Sequence, residues 1–201
     1  VSRPLASVCY HESGHLVLML ALGFPVESAT IVPAPPAGGR QTLGQVAPGK
    51  PAPPAGPVQP LTDSEAAMVL LAAAMVDVSG GIADQLAGFA ASGLESDEAS
   101  VDSICDVVWS RLGVETCHYR HLIRAEATRY LREHWPAVQR VASVLLAERT
   151  ITGERARQAA GELPAPDLRA LAGALNFWTH REARRRAAVG TAGRRSAQRT
   201  A

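Results

Sequence analysis

His11-Glu12-Ser13-Gly14-His15, an H-E-x-x-H, decides how the rest of the chain is read. On a helix, residues four apart lie one above the other, so both imidazoles reach one metal ion from a single face. Zinc accepts such a pair at about 2.0–2.1 Å, and a hydrolytic site needs a third protein ligand and one open position. Glu12, next to the first histidine, is then placed to take a proton from a water attacking a carbonyl. The plain alternative is a helix that carries two histidines and a glutamate by chance. With six histidines in 201 residues, composition gives that coincidence odds of about one in a hundred.

Working outward, Pro4 fits the first turn of a helix and Gly23-Phe24-Pro25 ends it, so the motif is expected on a helix over 4–22. Its second half, Leu16 to Leu22, is strongly apolar and belongs in a core. Ser28-Ala-Thr-Ile-Val-Pro33 reads as a strand, and Thr42 to Val46 as a second one after the turn-rich Pro35 to Gly39. From Pro33 to Pro60 lie nine of the fourteen prolines and five glycines. That composition makes a surface loop, with the proline-rich part at 48–61 reading as a linker ahead of a flap beside a substrate groove.

Thr62-Asp-Ser-Glu65 is a capping box, and it opens a helix predicted over Glu65 to Val78, stopped by Gly80-Gly81. Being apolar on most faces, that helix is expected at the centre of the fold. A short helix over Ile82 to Leu86 follows, then a loop from Gly88 to Gly93. Further helices are read from Glu95 to near Gly113, from Glu115 to Glu133, from Pro136 to Glu148, and from Thr152 to Ala160. After Pro164-Ala-Pro166, Leu168, Leu171, Leu175 and Trp178 share one helical face. The end of the chain, from Arg181, holds seven arginines against one glutamate and reads as a solvated basic tail.

Composition narrows the function classes. A formal charge of +1 argues against a partner held by global electrostatics, and 47% hydrophobic residues can bury a substantial core. Cys9, Cys105 and Cys117 form no C-x-x-C, which fits a reducing compartment and a cytoplasmic chain. The longest apolar runs, Leu16 to Phe24 and Ala66 to Val76, fall short of the ~20 residues of a membrane span. No cleavage site follows the first of them, so it is not read as a secretory signal.

The third ligand is open on spacing alone. A metzincin would carry a histidine six residues after His15, where Ala21 stands. Glu27 falls beyond the first helix. The remaining acids are Asp77, Asp84, Glu95, Asp97, Glu98 and Asp102, and those at the start of a helix have an ordinary capping explanation.

These stretches, taken in order, resemble the peptidase domain of the FtsH family of ATP-dependent zinc proteases. The likeness begins at His11-Glu-Ser-Gly-His15 and continues through Ala29-Thr-Ile-Val-Pro33 and Leu43-Gly44. It includes Ala74 through Gly80-Gly81-Ile-Ala-Asp84 and Ser92-Gly93-Leu-Glu-Ser-Asp97, then Ala127-Thr-Arg-Tyr-Leu131 and Val144 to Glu154. The pieces keep the family's order over roughly 5–160, although only the H-E-x-x-H is specific by itself. The resemblance implies Zn2+ held by His11, His15 and Asp97, Glu12 as catalytic base, and a polypeptide substrate adding its backbone beside Ala29, Thr30, Ile31 and Val32. The chain departs from the family in five ways, two of them being Gly81-Ile-Ala-Asp-Gln85 in place of a version that bears arginine and glutamate, and a longer proline-rich loop before Leu61. It has no G-x-x-x-x-G-K-[ST], so a separate unfolding ATPase is one expected partner. It has no family-type anchor, and its basic C-terminal extension has no counterpart.

The expectation is a mainly α (α+β) fold with a small β-hairpin next to the motif helix. A metallopeptidase domain is expected over 1–162, and a helical extension with a basic tail over 163–201. The expected function is zinc-dependent endopeptidase action on flexible or unfolded polypeptides. Its rivals are a non-hydrolytic zinc-containing binding module and a regulator that meets an acidic partner through the arginine tail. Oligomeric state is left open.

Overall fold

The computed structural model describes residues 3–34, 43–51, 60–90, 94–112, 117–177 and 179–181, and their side chains except at 94–96 and 117–118. In chain order the elements are α1 (Leu5–Ala21), β1 (Val26–Thr30), β2 (Gln45–Pro48), α2 (Asp63–Leu86), α3 (Leu94–Leu112), α4 (Cys117–Glu133), α5 (Trp135–Glu148), β3 (Thr150–Thr152) and α6 (Gly153–Ala160). A last helix, α7, occupies 169–177. The protein is mainly helical with a small antiparallel sheet.

α1 begins after Pro4, whose extended backbone (ψ 137°) turns the chain into the helix. Leu16, Val17 and Leu18 are consecutive and fully buried, so this half of α1 is surrounded rather than amphipathic. Its neighbours are α2 and α5. Gly14 sets the closeness of the first contact: a Cβ there would fall 2.5 Å from the Ser79 carbonyl oxygen and 2.8 Å from Ala83 Cβ. Only hydrogen fits between the two backbones at that crossing.

α2 is central, as its apolar composition predicts, and packs against α1, α3 and α4. Its capping box is formed on both sides, with the Glu65 N–H donating to Thr62 Oγ1 and the Thr62 N–H donating to Glu65 Oε2 at 2.8 Å. The helix does not stop at Gly80-Gly81, contrary to the sequence expectation. It runs on through Ile82 to Leu86, the segment read as a separate helix. Glycine costs about 1 kcal/mol against alanine within a helix, an amount packing readily offsets. Ser79, Gly80, Gly81, Ile82 and Ala83 are all buried against neighbouring elements. By length and composition α2 could also cross a membrane; 61% of its most apolar window is buried within the fold.

The sheet has the order β2-β1-β3. The β1–β2 hairpin exists, but β1 starts at Val26 and β2 runs from Gln45 to Pro48, later than the predicted Thr42 to Val46. β3 was not expected. It holds three residues, too few for alternation to be legible, and it enters from Arg149, the one non-glycine described residue with positive φ (67°). Arg149 ends α5 by donating its N–H to the Leu145 carbonyl at 2.8 Å, and its own carbonyl accepts from Ile31 N–H at 2.9 Å.

Ala137, Val138, Val141 and Leu145 of α5 and Tyr119, Ile123, Tyr130 and Leu131 of α4 complete the core. Leu171 and Leu175 of α7 are buried in the same cluster. Most of the proline-rich stretch, Trp178 and the arginine tail from 182 lie outside the described residues.

Candidate metal centre

Two helix faces with the same spacing meet at this centre. Along α1 and the two residues ahead of it, Arg3, Ser7, His11 and His15 recur every fourth position. Along α2, running the other way, so do Val76, Gly80 and Asp84. Residues four apart stack on one helix face, so each member of one row meets a defined member of the other.

His15 donates from Nδ1 to the Val76 carbonyl at 2.7 Å, with Ser79 Oγ 3.4 Å from the same nitrogen. Nδ1 of His11 lies 2.9 Å from Asp84 Oδ2. Both rings are therefore held by Nδ1 and turn Nε2 to the same side. The rings stand edge to face with centroids 4.8 Å apart. Gly80 leaves the space between: a Cβ there would collide with Nε2 of both histidines, 2.7 Å from that of His11.

Asp97, from the first turn of α3, closes the group. Its Oδ2 is 3.2 Å from His11 Nε2 and 3.8 Å from His15 Nε2. The donor atoms of His11, His15 and Asp97 lie within 4.8 Å of one another, a set that could hold a metal ion. Ligand atoms around a tetrahedral zinc sit about 3.4 Å apart, so the separations suit the ion. Two imidazoles with one carboxylate match the three-ligand donor sets of hydrolytic zinc and leave a fourth position free. Donor chemistry, gap and fixed ring orientation all fit such an ion. Ser100, one turn after Asp97, ties α3 to α2 by donating to Asp77 Oδ2 at 2.6 Å.

The other acids weighed from the sequence are elsewhere. Asp102 pairs with Arg120 on α4, and Glu98 is exposed. The Glu95 side chain lies outside the described residues. Asp84 is buried behind His11, on the Nδ1 side and away from the metal-facing nitrogens. Its Oδ2 also accepts from Arg3 and its Oδ1 from Ser7 Oγ at 3.1 Å.

Glu12 is buried, and Gly44, just ahead of β2, lies against it: a Cβ on Gly44 would sit 2.6 Å from Glu12 Oε1. Burial raises its carboxyl pKa to about 7, with His11 pulling the other way. For His11 burial acts downward, but the hydrogen bonds to Asp84 and Asp97 outweigh it and raise the ring to about 9. His15, enclosed and facing a charged His11, is lowered to about 4. The metal-free centre thus holds one imidazolium, at His11, whose proton a bound cation would displace.

The residues given a substrate role stand differently. Ala29 and Thr30 lie in the middle strand, paired with Val46 and Gln45 on one side and with Ile151 and Thr150 on the other. Ile31 is buried and its N–H is taken by Arg149; Val32 is exposed just past the strand. A substrate backbone therefore cannot join the ladder at Ala29 or Thr30, because both edges are occupied. The sheet edge nearest Glu12 is β2.

Sequence reasoning gave no role to Arg3, Ser7 or Val76, quoted Gly44 only within the family likeness, and read Gly80 as a helix stop. One signal was present: Gly80 and Asp84 put a gap and an acid on the same face of an otherwise apolar helix.

No family model matches this chain, and no curated protein matches it either.

Proposed function

We propose that the protein is a zinc-dependent endopeptidase whose metal is held by His11, His15 and Asp97, in line with the resemblance to FtsH-type peptidase domains. The observation that carries this reading is the convergence of two Nε2 atoms and one carboxylate oxygen on the gap left by Gly80. Zinc held by His11, His15 and Asp97 would supply Lewis acidity for a carbonyl and would lower the pKa of a water towards about 7.

Glu12 does the proton work. Its carboxylate takes the proton that the attacking water loses and hands it to the nitrogen of the departing amine. In the metal-free centre burial raises its pKa to about 7, and a nearby cation would draw it back down towards the carboxylate form that accepts a proton. Gly44, having no Cβ, leaves Glu12 the space it occupies. His11 and His15 stay oriented because Asp84 and the Val76 carbonyl hold their Nδ1 atoms.

The substrate is an extended, flexible or unfolded polypeptide that adds along β2, the edge strand beside Gly44, rather than along β1. No P-loop occurs in the 201 residues, so these residues by themselves act on segments that are already unfolded.

Metal analysis of the purified protein, with cleavage of an unfolded protein such as casein, tests the reading. One zinc per chain and cleavage abolished by a chelator are expected. Zinc without cleavage would leave a binding module, and neither would end the proposal.

A further inference from the structure

Asp84 is the fully enclosed charge of this region, with a side chain 0% exposed, and it lies behind a ligand rather than on the metal. Three donors converge on it from one face. Arg3 and His11 share Oδ2, and Ser7 Oγ takes Oδ1 at 3.1 Å. Arg3 also donates from Nε to Ser7 Oγ at 2.8 Å, which closes a ring of three side chains around the carboxylate. Arg3 itself is only 11% exposed at its side chain, although it stands ahead of the first helical residue.

We infer that Arg3 is a positioning residue of the metal centre: by pairing with Asp84 it holds the carboxylate on His11 Nδ1 and so aims His11 Nε2 at the ion. The inference rests on the proposed metal site and adds to it a residue that touches neither metal nor substrate. Two physical arguments support it. A carboxylate bonded only to an imidazole and a hydroxyl can rotate, whereas the guanidinium fixes it from a third direction. The second is charge. A divalent ion with ionised Asp97, Glu12 and Asp84 leaves the loaded centre one unit negative, and the Arg3 guanidinium brings it to neutrality. Buried groups pay heavily for net charge when water is excluded.

The test compares Arg3→Gln, Arg3→Lys, Asp84→Asn and the double variant Arg3→Gln/Asp84→Asn. Zinc affinity is measured by chelator competition, and His11 is followed through the visible band of the cobalt(II) form. Nitrogen–proton spectra of the imidazoles are recorded on metal-free protein. Arg3→Gln should weaken zinc about tenfold, the lower end for loss of an outer-shell partner, and broaden or shift the cobalt band. It should move the ring nitrogens of His11 while leaving those of His15. In the Asp84→Asn background it should have no further effect.

Wild-type zinc affinity in Arg3→Gln, or an equal extra loss in the Asp84→Asn background, would overturn the inference, because Arg3 would then not act through Asp84. If Arg3→Gln does not fold, Arg3→Lys decides. The charge is kept but the fork that spans Ser7 and Asp84 is lost, so a measurable loss no larger than that of Asp84→Asn is expected, and wild-type affinity with unmoved His11 ring nitrogens contradicts the role. A wild-type protein that takes no zinc would remove the proposed function. The ring spectra would still settle whether Arg3 orients His11.

Discussion

Nε2 of His11 lies 2.7 Å from the point where a Cβ on Gly80 would sit, so the imidazole occupies space that any other residue on α2 would fill. Helix propensity alone favours Gly80→Ala by about 1 kcal/mol. The expected outcome is the opposite for function: both imidazoles are pushed aside and zinc occupancy falls at least tenfold, on the scale of losing ligand orientation. Zinc content and thermal unfolding of the variant, measured together, check this. A full complement of zinc would mean that the rings are not where the metal is held.

Gly44→Ala acts on the other half of the machinery. The added methyl meets Glu12 Oε1 at 2.6 Å, and its three nearest atoms all belong to Glu12. Zinc should stay, while hydrolysis should fall about a hundredfold, the effect of misplacing a reacting group by about 1 Å. Loss of zinc in this variant would indicate that Gly44 supports the fold of the centre rather than the base.

These two glycines also mark where reading the sequence stopped. The H-E-x-x-H states its helix and its spacing in five consecutive residues, and the structure brings Asp97 close to both histidines. Gly80 was read as a stop signal because local rules count its lost helix propensity and not the imidazoles that need its space. Asp84 was visible as an acid, but only the antiparallel meeting of α1 and α2 reveals that it serves Nδ1 rather than the metal. β1 was read as a strand for a substrate to join. That it is the middle strand depends on Thr150 to Thr152, far away in sequence and too few to announce themselves.

The acids around the centre should respond unequally. Asp97→Ala removes a ligand and should abolish zinc retention during dialysis. Asp84→Asn keeps the shape but weakens the hold on His11, so a loss of about 10–100-fold in affinity is expected. Glu98→Ala, at an exposed position, should change nothing. Chelator competition on the three variants orders them; a zinc-replete Asp97→Ala would move the third ligand elsewhere.

Metal uptake should release a proton. His11 in the metal-free centre is raised to about 9, so at neutral pH it carries a proton that a metal-bound imidazole cannot keep. His15, lowered to about 4, is already neutral there. Binding is therefore favoured as pH rises, and apparent affinity should climb about tenfold per pH unit between about 5 and 8. Calorimetry of zinc binding in buffers of different ionisation heat counts the proton directly. No proton released at pH 7 would contradict the pairing of His11 with Asp84 and Asp97.

The central claim joins metal and base in one site, and Glu12→Gln tests it most directly. The glutamine keeps the size of the side chain and its packing against Gly44 but cannot take a proton at pH 7. The measurement is the rate of casein cleavage by Glu12→Gln relative to wild type, with both proteins carrying equal zinc. A fall of at least about a thousandfold at unchanged zinc content is expected, in the range for losing proton transfer in the transition state. Cleavage that survives within a few-fold would contradict the account, because the bond would then be broken without the residue around which the site is built.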